Sequence, residues 1–334
     1  MKYNVLSLGP ARMDVFVRLP EDQVDEVCSI DRKRCKIELG FGEKIPIQSL
    51  EFAVGGNTGN NAVGLSRLGL KVAMVGALGS GYSDKMVLES LQKEKVDTKF
   101  VKQLPVESGF GVVINYQEER TILSYYPSMD DGFDVDSDTE SEWIYLTTAG
   151  KNYEEFYAQA ISWAKSHNSK IAFNPGSRQL TEHKINSVLS ITDLLFINTE
   201  EGNELLKTQF LPKELTRELS KLGPKIVVVT DGPAGAYCFD GQKDYFAPII
   251  EAPVVERTGA GDAFGSGFMA AIIYGKSIEE ALVWGSKNSA SVLGFVGPQK
   301  GLLTREQIFL DFDLYQAEQV DINNLAKLRK DLVK

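Results

Sequence analysis

The sequence predicts a three-layer α/β/α fold with a largely parallel central sheet and a small antiparallel β lid. Two observations predict it. Apolar strand-like runs alternate with helical patterns along most of the chain. That rhythm marks βα units whose helices cover both faces of a parallel sheet. Three further segments alternate apolar and polar residues with no helix between them, which reads as half-exposed antiparallel strands. The chain has 334 residues, 43% hydrophobic and 25% charged, so a large core is available. We read residues 1–334 as a single domain carrying a small appended sheet.

The elements follow in order. Tyr3–Leu8 is an apolar strand ending at Gly9-Pro10. "NAVGLSRLG" places apolar residues at helical spacing and stops at Gly69. "KVAMVGALG" is a buried strand and "DKMVLESLQKEKV" an amphipathic helix. Then come strand "WIYLTT", helix "YEEFYAQAISWAKSHN", strand "KIAFNPG", helix "HKINSVLSIT", strand "DLLFINTEE", helix "KELTRELSKLG" and strand "KIVVVTDG". The lid strands are expected at about 14–20, 36–54 and 109–126, from "MDVFVRL", "CKIELGFGEKIPIQSLEFAV" and "GFGVVINYQEERTILSYY". Residues 127–142 hold seven acids and read as a solvated loop. Asp134, Asp136 and Asp138 lack the Gly and downstream Glu of an EF-hand. The segment "NNLAKLRKDLVK" is a basic amphipathic helix expected to cap the fold.

Composition excludes several functions. The net charge is −10 with no Lys/Arg-rich run, so no nucleic-acid partner is expected. No apolar run approaches the roughly 20 residues that span a bilayer, so no membrane association is expected. The N-terminus reads as a first strand rather than a signal peptide. Three cysteines, Cys28, Cys35 and Cys238, match no metal spacing. A reduced, cytoplasmic chain is the simplest expectation, although Cys28 and Cys35 could pair in an oxidising compartment.

Two glycine runs carry the chemistry. "ERTGAGDAFGSGF", Glu256 to Phe268, sets small residues ahead of an apolar helix. Unpaired N–H groups at such a start converge on one spot, and the helix dipole favours an anion there. Gly259, Ala260 and Gly261 let that anion approach, and Asp262 follows them. The bland reading of Asp262 is an N-cap. A small, apolar and therefore buried helix favours a site instead. "VGGNTGNNAVGLSRLG", Val54 to Gly69, turns at Gly55-Gly56 and then offers Asn57, Asn60 and Asn61. Three asparagines cost helix propensity, which polyol recognition would justify; the bland reading is N-capping by Asn57 alone. "GKS" at 275–277 follows a helix and lacks the first glycine of a P-loop, and "GAGDAFG" is out of register with the dinucleotide fingerprint.

Together these runs resemble the PfkB family, the ribokinase-like carbohydrate kinases. "GGNTGNNA" resembles the N-terminal signature of that family and "RTGAGDAFGSGF" its C-terminal one. "NTEE" at Asn198–Glu201 fits its N-x-x-E, and "TDGPAG" at Thr230–Gly235 its T-x-G-x-x-G. The resemblance runs from Asp14 to about Gly301. It implies phosphoryl transfer from ATP to a hydroxyl of a sugar, with a nucleoside as the alternative acceptor and an inactive sensor as an alternative of another class. Asp262 is implied as base, with Gly259, Ala260 and Gly261 as the anion hole. Asp14, Gly55, Gly56, Asn57 and Asn60 are implied at the sugar. Asn198, Thr230, Gly232, Gly235 and Asn288 are implied at the nucleotide, with Glu201 organising Mg²⁺. Phe16, Phe41 or Phe110 could stack a nucleoside base, or belong to the lid core. Exposed lid strands suggest a homodimer. The chain departs from the family pattern at Glu256-Arg257, where Asp-Thr is common, which leaves K⁺ use open. It departs also at "FNPGSR" and in the insertion between Cys28 and Gly42.

Overall fold

The structure is a computed structural model, and it describes residues 1–29, 35–117, 119–125, 127 and 132–310. The expected helix at 323–334 and part of the acidic loop lie outside the described residues. A nine-stranded sheet forms the centre. Its order is Asp244–Ala247, Ala236–Phe239, Ile226–Thr230, Leu194–Asn198, Lys170–Phe173, Glu140–Leu146, Lys2–Leu8, Val72–Leu78 and Asp97–Gln103. From Ile226–Thr230 to Asp97–Gln103 all pairings are parallel. The last two strands in the chain add an antiparallel hairpin at one edge, which the βα rhythm did not announce.

Residue alternation builds the layers. On Leu194–Asn198, Leu194 and Phe196 enter one core, while Leu195 and Ile197 enter the other. The helices Asn57–Arg67, Ala260–Ile273 and Ile278–Leu293 cover the first face, and Tyr153–Ser166 and Pro212–Ser220 the second. The chain leaves Lys2–Leu8 toward Val72–Leu78 on one side and Glu140–Leu146 lies on the other. The carboxyl ends of strands around such a reversal are where open α/β sheets bind ligands.

Several elements differ from expectation. The "HKINSVLSIT" helix shrinks to Asn186–Leu189, preceded by a short helix Ser177–Glu182. The strand at "DLLFINTEE" stops at Asn198, which caps a new helix Thr199–Leu206. The acidic loop is not wholly solvated: Phe133 packs against Phe156 and Trp163.

The lid is a four-stranded sheet in the order Ser49–Gly55, Arg12–Arg18, Phe110–Tyr116, Glu119–Tyr125. Its outer pairings are antiparallel, as expected, but its central pairing is parallel. The two central strands follow the parallel core strands Lys2–Leu8 and Asp97–Gln103 in the chain, so they set out in the same direction. The expected 36–54 strand divides. Only Ser49–Gly55 joins the lid, whereas Cys35–Glu38 pairs with Asp25–Cys28 as a separate hairpin. That pairing sets Cys28 opposite Cys35, with Cα atoms 4.0 Å apart, and the two form a disulfide, contrary to the expected reduced state.

Candidate active site

Three carboxyl ends of the core and one edge of the lid position the site. Thr58 pins the start of helix Asn57–Arg67 to the end of strand Lys2–Leu8: its hydroxyl donates to the Leu8 carbonyl at 3.3 Å, and Ser7 donates to the Thr58 carbonyl at 3.2 Å. This aims Asn60 across the cleft, where its Nδ2 donates to Asp262 Oδ2 at 2.8 Å. The bland reading of Asn57 as an N-cap does not hold: Gly56 caps that helix and Asn57 is its first residue. Asn61 turns away and is fully buried, accepting from Ser7 at 3.4 Å. Of the three asparagines, Asn60 alone is seen to reach the acid.

Asp262 lies in the first turn of helix Ala260–Ile273. The cap residue is Gly259 in the left-handed region, φ 84°, and no side chain caps this end. Asp262 is therefore not the N-cap, and its carboxylate is held by Asn60 instead. The first N–H groups of the helix have no intrahelical partners; that of Ala260 donates to the Arg257 carbonyl at 3.4 Å, which leaves Gly259 and Gly261 to offer backbone donors at this end. Gly261 opens onto empty space, with nothing within 4 Å of where a Cβ would stand. Asp262 keeps part of its surface toward the cleft while packed densely by protein. Burial pushes its pKa up to about 7; Asn60 opposes this and the charge of Glu201 adds to it. Behind the first turn the helix is tightly packed, with Gly267 against the Trp284 carbonyl.

Asn198 and Thr230 are paired neighbours at the ends of adjacent parallel strands. Asn198 and Glu201 form a reciprocal cap: Asn198 Oδ1 accepts from the Glu201 N–H at 2.8 Å, and Glu201 Oε2 from the Asn198 N–H at 3.0 Å. Glu201 is thus no solvated helix acid. Burial raises its pKa, against the Asn198 N–H, and its charge is felt at Asp262. Two carboxylates facing one cleft suit a divalent cation, which would answer both desolvated charges. Gly232 opens the turn after strand Ile226–Thr230, and Gly235, at φ 97°, closes against the Ala247 carbonyl.

Asn288, implied at the nucleotide by the resemblance, lies in helix Ile278–Leu293. It is fully buried, its Nδ2 donates to the Ala263 carbonyl (2.8 Å) and Ser266 Oγ (3.1 Å), and its Oδ1 accepts from the Leu303 N–H. It locks helix Ile278–Leu293 to helix Ala260–Ile273 and does not present its amide to the cleft.

The lid supplies Asp14, only 3% exposed, flanked by Gly55 and Gly111. A Cβ at either glycine would fall 2.1 Å or 2.0 Å from its carboxylate oxygens. Burial raises the Asp14 pKa, Arg12 opposes it, and Glu256 adds to it. Glu256 is buried just ahead of the Gly259–Gly261 run; its Oε1 accepts the Thr258 N–H at 2.8 Å and the Thr258 hydroxyl at 2.5 Å. Arg120 of the lid stands 4.0 Å from the same oxygen. Gln299, Arg12 and Gly111 were not legible as site residues. Gln299 donates to Asn60 Oδ1 at 3.1 Å and its carbonyl is held by Arg67 at 2.8 Å. No motif marks it, because its role depends on a loop brought in from the far end of the chain.

A helix start that gathers N–H donors, an acid poised near neutrality and a polar lid face define a phosphoryl transferase acting on a small hydroxyl compound. The comparisons agree. The profile of the pfkB family carbohydrate kinases matches residues 23–305, and the chain belongs to that family. Ribokinase of Bacillus subtilis is 26% identical over 273 residues, covering 80% of this chain and 90% of that one. The 5-dehydro-2-deoxygluconokinase of the same organism is 25% identical over 276 residues, covering 76% and 85%. The structure of Arabidopsis thaliana ribokinase complexed with ribose and ATP superposes with a TM-score of 0.74 at 21% identity, over 92% of this chain and 98% of that one. The chain is an ATP-dependent carbohydrate kinase with a ribokinase-like fold. Arg12 and Asp14 precede the matched stretch.

Proposed function

We propose that the chain transfers the γ-phosphoryl group of ATP to a hydroxyl of a sugar held by Asp14 and Asn60, with Asp262 as base. The observation that carries this is the Asn60–Asp262 hydrogen bond, which joins the two glycine runs into one site. Asp14 accepts from sugar hydroxyls, as an ionised carboxylate can from two donors. Gly55 and Gly56 bring the backbone close, and Asn57 borders the same turn. Asp262 takes the proton of the reacting hydroxyl, and the N–H groups at Gly259, Ala260 and Gly261 receive the moving phosphoryl charge.

Asn198, Thr230, Gly232 and Gly235 border the nucleotide at the ends of the two adjacent strands. Glu201 would hold Mg²⁺, through water, beside Asp262. That ion supplies positive charge to the phosphates. Glu256 Oε2 is buried with no hydrogen-bond partner, and a K⁺ ion would satisfy it from behind the anion hole. The lid closes over the sugar and excludes water, which limits ATP hydrolysis. Its outer strands expose Leu50, Phe52, Leu123 and Tyr125, and a second copy covers that face in a homodimer. A cytoplasmic location suits a kinase that consumes ATP, although the Cys28–Cys35 disulfide is unusual there, and among the described residues no helix is long and apolar enough to cross a membrane.

The nucleoside alternative needs an aromatic platform. Phe41 is fully exposed and supplies none, whereas Phe16 is buried on the strand that carries Asp14 and Phe110 is half-buried on the neighbouring strand. ATP turnover against ribose, fructose, 5-dehydro-2-deoxygluconate and adenosine tests the reading. Turnover with a sugar supports it. Turnover with adenosine alone, or tight binding without turnover, refutes it.

A further inference from the structure

Arg12 stands two residues before Asp14 on one strand, so both side chains leave the same face of the lid. Its Nε lies 2.8 Å from Asp14 Oδ1. Its Nη1 donates to Ser124 Oγ at 3.4 Å, and Ser124 sits on the lid's edge strand Glu119–Tyr125. Gly111 lies between: it pairs with Asp14 on one side and with Ser124 on the other. A Cβ there would stand 2.0 Å from Asp14 Oδ1 and 3.2 Å from Arg12 Nη2. The bare backbone at Gly111 is what lets the guanidinium cross from the central strand to the edge. Both charged side chains are withdrawn from water, 17% and 4% exposed. Deleting one partner of such a pair leaves the other buried and uncompensated.

We propose that Arg12 is the positioning residue of the sugar site, orienting the Asp14 carboxylate toward the substrate hydroxyls and tying it to the lid's edge strand through Ser124. The inference rests on the reading that Asp14 holds the sugar. Gly55 and Gly111 press no side chain against the Asp14 carboxylate, and the guanidinium beside it fixes its orientation. Arg12 also opposes the rise in pKa that burial imposes on Asp14. On the proposed reading the nucleotide borders Asn198 and Thr230 on the core sheet and not on the lid, so the effect belongs to the sugar half of the reaction.

The test uses whichever of ribose, fructose and 5-dehydro-2-deoxygluconate the wild-type chain phosphorylates fastest. Arg12→Met raises the KM and calorimetric Kd for that sugar on the order of 10- to 100-fold, the scale expected when one partner of a buried ion pair is removed. The KM for ATP stays within about twofold, and Arg12→Lys recovers part of the loss. In an Asp14→Asn background, Arg12→Met adds little further, because the group it orients is gone. An unchanged sugar KM in Arg12→Met, or an equal rise in both backgrounds, overturns the proposal. Should the Met variant fail to fold, Ser124→Ala serves: a rise of a few-fold in sugar KM supports the tie, and no rise overturns it. Wild-type protein that phosphorylates none of these sugars overturns the substrate reading and this inference with it.

Discussion

Asn60 donates a 2.8 Å hydrogen bond to Asp262 across 202 residues of chain. The amide comes from the turn that follows the double glycine, and the carboxylate from the turn that opens the anion hole. The bond joins the two glycine runs and stabilises the ionised form of Asp262.

A general base must be ionised to work. With the Asp262 pKa pushed up to about 7, kcat is expected to rise about tenfold per pH unit below neutrality and to level off above it. Asn60→Ala removes the group that lowers this pKa, so the rising limb moves to higher pH. A limb left in place in the pH–rate profile would contradict the role of Asn60.

The same shift sets a stability trend. Folding raises the Asp262 pKa from 3.8 to about 7, so the folded chain keeps a proton that the unfolded chain has released. The stabilisation is fully present below about pH 4 and is lost as pH rises through about 7. Asp262→Asn is expected to melt higher than wild type at pH 8 and at the same temperature near pH 4. Melting curves at the two pH values check the sign.

Gly259 and Gly261 separate fold from chemistry. A Cβ at Gly259 would sit 2.3 Å from the Pro298 Cβ, at a φ of +84°. Gly259→Ala should cost about 1–3 kcal/mol from the backbone alone and lower the Tm by several degrees. Gly261→Ala has open space and a better helix former, so its Tm should hold or rise. Its methyl intrudes where the phosphoryl group passes, and kcat should fall on the order of 10²-fold. Calorimetry beside steady-state kinetics distinguishes the two variants.

The lid predicts an association state. Phe52 is 59% exposed and Leu50 50%, unusual for two apolar side chains on one sheet. Sedimentation should find a dimer at micromolar concentration, converted to monomer by Phe52→Asp. A wild-type monomer would contradict the lid interface.

The disulfide predicts a thiol count. Cys28 and Cys35 are joined and Cys238 is buried. Thiol titration should find one reactive group after unfolding without reductant, and three after reduction. Three before reduction would return the chain to the fully reduced state expected from its composition.

The sheet, its helices and Asp262 were legible because each follows from local pattern. Apolar runs such as "IVVV" demand burial on both faces, and a glycine run before an apolar helix exposes donors whatever surrounds it. What escaped depends on distant parts meeting. Strand Arg12–Arg18 pairs in parallel with Phe110–Tyr116 only because of the core strands that precede both in the chain. Asn288 looked available for a nucleotide, but helix packing consumes its amide. Gln299 and Arg12 carry no motif and acquire meaning from Asn60 and Asp14 alone. The sequence left the pairing of Cys28 and Cys35 open, and the hairpin register that sets them opposite each other decides it.

The most direct test is phosphate transfer by Asp262→Asn, with ATP affinity measured on the same protein. The account predicts a fall in kcat of roughly 10²–10⁴-fold, the contribution of a positioned base, while the Kd for ATP stays within about twofold. Full sugar phosphorylation by Asp262→Asn would contradict it.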